Sequence, residues 1–153
     1  MEHEAVMLTS CLESALTICF NKLKKVAHIR KEYEAGPEVF CCPCQLNQVF
    51  LNLLLNAGQA LVEPGEIVLR SRHDDHFVYA SVSDTGGGIP EEIMNRIFDP
   101  FFTTKDVGMG TGLGLSISRE IIHLHQGELL VESVMGVGTT FTVKLPRTPE
   151  KTA

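Results

Sequence analysis

Leu12, Ala15, Leu16, Cys19, Phe20 and Leu23 recur at three- and four-residue steps, which predicts an amphipathic helix with Ser10 available as its cap. Ala27, Ile29 and Tyr33 sit among charged residues, the pattern of a half-buried strand. Gly36-Pro37 turns the chain, and Glu38 to Cys42 reads as a short strand. Pro43 suits the first turn of a second helix reaching about Leu61, with Leu46, Val49, Phe50, Leu53, Leu54, Ala57 and Leu61 as its core face. Its other face carries Gln48, Asn52 and Asn56 at successive four-residue steps, stacked one above another.

After Pro64-Gly65, Glu66 to Arg72 and His76 to Asp84 read as two strands joined through Asp74-Asp75. Ile89-Pro90 opens a short helix through Ile97, and Asp99 to Gly112 has no periodicity and reads as a loop. A third long helix begins near Leu115, runs through His125 and ends at Gly127. Gly127 to Val134 and Thr139 to Leu145 form a last hairpin around Gly136-Val137-Gly138. Three main helices and about five strands predict a two-layer α/β sandwich, a mostly antiparallel sheet with the helices on one face.

Length and composition narrow the picture. The 153 residues suit one domain, with a core of about 5–146 and 147–153 as a disordered tail. A net charge of −6 without a basic stripe argues against a nucleic-acid surface. The longest apolar run, Val49 to Leu55, is broken by Asn52 and is too short to cross a bilayer. No charged-then-apolar leader opens the chain, so nothing signals export. The expectation is a cytoplasmic domain, monomeric in isolation and without membrane contact of its own, with a membrane-anchored parent protein left open. Cys11, Cys19, Cys41, Cys42 and Cys44 are an odd set, read as reduced thiols that fill space. Tetrahedral zinc wants a second ligand pair that Cys41-Cys42-Pro43-Cys44 lacks.

Three features carry chemistry. Asparagine is a middling helix former, so Asn52 and Asn56 one turn apart on an otherwise apolar helix call for a reason. Their side-chain oxygens suit Mg²⁺; solvated amides on an exposed face are the plain alternative. Asp84 ends a strand and enters Gly86-Gly87-Gly88, where a carboxylate could accept from the exocyclic amine of adenine or simply serve a turn. Gly108, Gly110, Gly112 and Gly114 alternate into the third helix, and main-chain amides at a helix start attract anions. Phosphate is the expected anion, against a flexible segment that binds nothing.

The order of these pieces is more specific than any one of them. Asn52-Leu-Leu-Leu-Asn56-Ala57 is followed by Asp84-Thr-Gly86-Gly-Gly88 and Phe98-Asp-Pro-Phe101-Phe102-Thr-Thr-Lys105. Then come Gly110-Thr-Gly112-Leu-Gly114-Leu115 and Gly136-Val-Gly138-Thr139-Thr140-Phe141. This series closely resembles the N, G1, F, G2 and G3 boxes of sensor histidine kinases, most of all the nitrogen-regulator-type branch. The resemblance runs from about Ala5 to Pro146.

The resemblance implies the Bergerat ATP-binding sandwich shared with gyrase, heat-shock chaperone and mismatch-repair ATPases. Asn56 would be the principal Mg²⁺ ligand with Asn52 beside it, and Asp84 would bind the adenine amino group. Gly86 and Gly88 would shape the pocket, and Thr139 would support Asp84 through water. Lys105 and the segment of Gly108, Gly110, Thr111, Gly112, Leu113 and Gly114 would hold the phosphates, with Asn52 and Lys105 serving catalysis. Phe101, Phe102 and Met109 would belong to a lid facing a partner helix. Hydrolytic relatives carry a glutamate general base one turn before the Mg²⁺-ligand asparagine, and this chain has Asn52 there, which cannot take a proton.

The expected nucleophile is a histidine on a dimerisation domain in a phrase like His-Glu-x-x-x-Pro. None of His3, His28, His73, His76, His123 and His125 has that setting, so the phosphoacceptor domain is expected outside this chain. Its phosphohistidine would serve a response-regulator receiver domain. A gyrase-type ATPase or a non-catalytic ATP/ADP-binding module is the rival reading.

Overall fold

The second helix organises the molecule, and the elements around it follow from its two faces. The computed structural model describes residues 2–102 and 114–148. In chain order these form β1 (Glu4–Val6), α1 (Leu8–Leu23), β2 (Ala27–Tyr33), β3 (Val39–Cys41), α2 (Pro43–Ala60), β4 (Gly65–His73), β5 (Phe77–Asp84), a 3-10 helix (Glu91–Arg96), α3 (Gly114–Leu124), β6 (Glu128–Val134) and β7 (Gly138–Pro146). Leu46, Val49, Phe50, Leu53 and Leu54 lose all exposure on one face of α2, and Ala57 and Leu61 nearly all. That stripe packs α2 between α1 and α3 and onto β5. Each fully buried Leu, Val or Phe contributes about 1.5–3 kcal/mol.

One sheet holds five strands in the order β2-β4-β5-β7-β6. β2 and β4 are parallel, as a crossover through α2 requires, and the remaining pairs are antiparallel. The architecture is the expected mixed, mostly antiparallel sheet with its helices on one face. β1 and β3 form a separate antiparallel pair, Glu4 opposite Cys41. Arg147 and Thr148 continue past β7 with main-chain bonds to His76 (2.9 Å) and Glu38 (3.0 Å).

Two local expectations change. α1 begins at Leu8 with Met7 in the cap position, and Ser10 lies in the first turn, its hydroxyl donating back to the Met7 carbonyl at 2.6 Å. The short helix after Ile89-Pro90 is 3-10 and covers Glu91–Arg96. α3 stops because Gln126 turns left-handed (φ 64°) and the Gly127 amide returns to the Ile122 carbonyl at 3.0 Å. A β-carbon at Gly127 would strike the Lys144 carbonyl.

Candidate functional site

Asn52, Asn56 and Ala60 line one edge of α2 at one-turn steps, a ladder about 12 Å long at 1.5 Å per residue. Both asparagines are half-buried. At the first rung, Asn52 Nδ2 donates to the Gly114 carbonyl (3.4 Å) and to Ser118 Oγ (3.3 Å), tying α2 to the start of α3. At the last rung, Gly86 presses so closely on α2 that an added β-carbon would lie 2.6 Å from the Ala60 carbonyl and 2.9 Å from Asp84 Oδ1. A glycine is needed there for close approach. The middle rung, Asn56, therefore lies between the start of α3 at Gly114 and the Asp84 turn.

Asp84 is the last residue of the central strand β5 and only 8% exposed. Its Oδ1 accepts from the Gly86 amide at 2.8 Å, and the Thr139 main chain supplies a second bond. Burial pushes its carboxyl above the ordinary aspartate range, while the Gly86 and Thr139 amides pull the other way. Two amides leave lone pairs on a carboxylate that can accept further hydrogen bonds.

The glycine turns interlock with this carboxylate. Gly88 has φ 86°, and a β-carbon on it would meet the Val134 carbonyl at 2.6 Å. Gly136 donates its amide to the Gly87 carbonyl at 3.0 Å, and a β-carbon on Gly138 would collide with the Asp84 carbonyl. Thr139 is buried, and its hydroxyl meets Ser133 Oγ at 2.8 Å while Ser133 Oγ accepts from the Ile89 amide at 2.7 Å. The direct contact from Thr139 to Asp84 is thus main-chain, and its side chain braces β6. Ala60, Ser118 and Ser133 carry no motif of their own, and only the fold reveals their part.

Lys105, Gly108, Met109, Gly110, Thr111, Gly112 and Leu113 lie outside the described residues. Phe101 is 73% exposed at φ 66°, and Phe102 is half-buried beneath the Arg96 guanidinium, 4.7 Å from its ring centre. His125 is buried, with Nε2 accepting from the Cys42 amide (3.1 Å) and Nδ1 therefore donating to the Ile121 carbonyl (2.8 Å), a packing role. Cys11, Cys19, Cys41 and Cys42 are buried and Cys44 is exposed, and none of the five forms a disulfide. Among the described residues no group of three or more His, Cys, Asp or Glu could hold a metal, and no helix is long and apolar enough to cross a membrane.

A five-stranded sheet under three helices, with glycine turns closing on a buried strand-end aspartate, defines a nucleotide-binding sandwich. Residues 43–149 match the family of histidine kinase-, DNA gyrase B- and HSP90-like ATPases, and the chain belongs to that family. Within it, the chain is a histidine-kinase catalytic domain. It superposes on the nucleotide-free catalytic domain of histidine kinase ThkA with a TM-score of 0.86 and 34% identity, covering 96% of this chain and 97% of that one. It is 45% identical over 112 residues to sporulation kinase E of Bacillus subtilis, a match spanning 72% of this chain and 15% of that protein. It is 46% identical over 106 residues to the histidine-protein kinase AtoS of Escherichia coli, spanning 69% of this chain and 17% of that protein. The chain thus matches under a fifth of the length of either kinase.

Proposed function

We propose that this domain binds Mg·ATP along the α2 edge and presents the γ-phosphate to a histidine on a separate dimerisation domain. The observation that carries this reading is the ladder from Gly114 through Asn52 and Asn56 to Ala60, Gly86 and Asp84. Its length of about 12 Å compares with the reach from an adenine ring to the phosphates of a nucleotide. The donor set fits the ligand at both ends. A buried carboxylate with free lone pairs suits the adenine amine, and neutral amide oxygens suit Mg²⁺ that also carries phosphate oxygens and water.

Bound ATP supplies the phosphoryl group and Mg²⁺ neutralises its developing charge. Asp84 selects adenine, Asn56 and Asn52 hold the cation, and Lys105 with the Gly108–Gly114 segment holds the phosphates. Asn52 has no basic site for a water proton, so hydrolysis stays slow and the phosphoryl group waits for its acceptor. Catalysis by this domain is then positioning and charge neutralisation. Phe101, Ile117 and Leu124 are exposed, apolar side chains that the acceptor domain would cover on docking. The phosphohistidine would pass its group to a receiver-domain aspartate, and the domain would work in the cytoplasm as a monomer until it docks.

Asn56→Ala tests the reading. Mg²⁺-dependent binding of a non-hydrolysable ATP analogue should fall at least tenfold in calorimetry with the melting temperature little changed. Unchanged affinity would remove Asn56 from the metal site.

A further inference from the structure

Asn52 has an amide with two opposite ends, and only its oxygen can ligate a cation. Which end faces the nucleotide is decided from outside α2. The Gly114 carbonyl, 3.4 Å from the amide, can only accept, so the end facing it must be Nδ2. Ser118 Oγ sits 3.3 Å from the same nitrogen and supplies the second acceptor. Both partners belong to α3, so they constrain an α2 side chain across a helix–helix contact.

Ser118 is fully buried in the middle of α3, beside Ile121 and Ile122 on its apolar side. Serine is a middling helix former, and a hydroxyl without exposure must be hydrogen-bonded to be tolerated. A single acceptor would let the amide swing about its terminal torsion, which is broad and roughly two-fold. Two acceptors on one nitrogen define the plane of the amide as well as its direction.

We infer that Ser118 is a positioning residue for the metal site: it holds the Asn52 amide with Nδ2 toward α3 and Oδ1 toward the bound cation. The inference rests on the reading of Asn52 as a Mg²⁺ ligand. It also links the cation site to the residue that ends the glycine-rich segment, because Gly114 shares the same nitrogen. A glutamate at position 52 would turn a carboxylate oxygen onto the Gly114 carbonyl, an acceptor against an acceptor. The contact with α3 is therefore specific to an amide.

The test separates positioning from metal binding. In the nucleotide-free chain, Ser118→Ala should shift the Asn52 side-chain amide resonances in a ¹⁵N NMR spectrum and speed their exchange with solvent. Calorimetry should show the Mg²⁺ concentration for half-maximal binding of an ATP analogue rising roughly two- to tenfold, the range of one ordinary hydrogen bond. Binding measured in EDTA should not change. In an Asn52→Ala background, Ser118→Ala should add nothing to the Mg²⁺ effect, since residues acting through one another are not additive. Ser118→Thr, which keeps the hydroxyl, should restore the Mg²⁺ midpoint.

Unmoved Asn52 resonances in Ser118→Ala would overturn the positioning role whatever the metal does. Shifted resonances with an unchanged Mg²⁺ midpoint, while Asn52→Ala still raises it, would overturn the link to the cation and leave the site reading intact. An unchanged midpoint in Asn52→Ala would overturn the metal reading and this inference with it. A Ser118→Ala effect of equal size with and without Asn52 would mark a general packing loss and likewise overturn it.

Discussion

Asp84 is an acid kept where an acid is costly. Its folded-state pKa is raised by burial, against the pull of the Gly86 and Thr139 amides, so the ionised form costs more in the folded chain than in the unfolded one. The stability associated with the protonated form is complete below the ordinary aspartate value of 3.8 and is lost as pH rises through the raised one. At neutral pH the ionised carboxylate therefore weakens the empty domain, a strain that a ligand amine would relieve. Asp84→Asn should raise the melting temperature of the nucleotide-free chain at pH 7, with the gain shrinking as the pH approaches 3.8. The same variant should lose preference for ATP over GTP. Thermal melts across pH beside calorimetry with both nucleotides check the two halves separately.

At the scale of single elements, the β4–β5 hairpin shows the opposite sign. Asp74 Oδ1 accepts from the His76 (2.9 Å) and Phe77 (2.8 Å) amides, and the Tyr79 hydroxyl donates to Oδ2 at 2.7 Å. The Tyr79 hydroxyl first, then the two amides, hold the carboxyl down at about 2. A depressed value contributes stability that is present above the unfolded value and lost as pH falls through the folded one. Asp74→Ala should therefore lower the melting temperature at neutral pH, with the difference closing between about 4 and 2. Melts of both chains over that acid range are the check.

The turn itself was legible, because aspartate before a strand start is a local signal. β1 was not: Glu4–Val6 is three residues long, and its pairing with β3 is a contact distant in sequence. The α1 start was misread because a serine in the first turn looks like a cap, although its hydroxyl here serves Met7. The 3-10 geometry at Glu91–Arg96 depends on what the segment packs against, which periodicity does not encode.

Over the whole molecule, the core face of α2 was readable residue by residue, because a 3.6-residue period and burial are two views of one requirement. Phe50 has no exposure at the centre of that face. Phe50→Ala should cost about 3–5 kcal/mol, the usual range for such a cavity, in a denaturant titration. What the sequence concealed is how the pieces of the site close on one another. Gly86 against Ala60, Gly138 against the Asp84 carbonyl, and Ser118 against Asn52 are contacts between elements far apart in the chain. Their residue types are common, so they carry no signal until the fold juxtaposes them.

The central claim is that one edge of α2 holds adenine at one end and a metal-bound phosphate chain at the other. Calorimetric titration of this chain with a non-hydrolysable ATP analogue, with and without Mg²⁺ and with GTP as control, tests it most directly. The account predicts saturable binding that Mg²⁺ strengthens and that GTP does not reproduce. Absence of saturable binding, or equal binding of both nucleotides regardless of Mg²⁺, would contradict it.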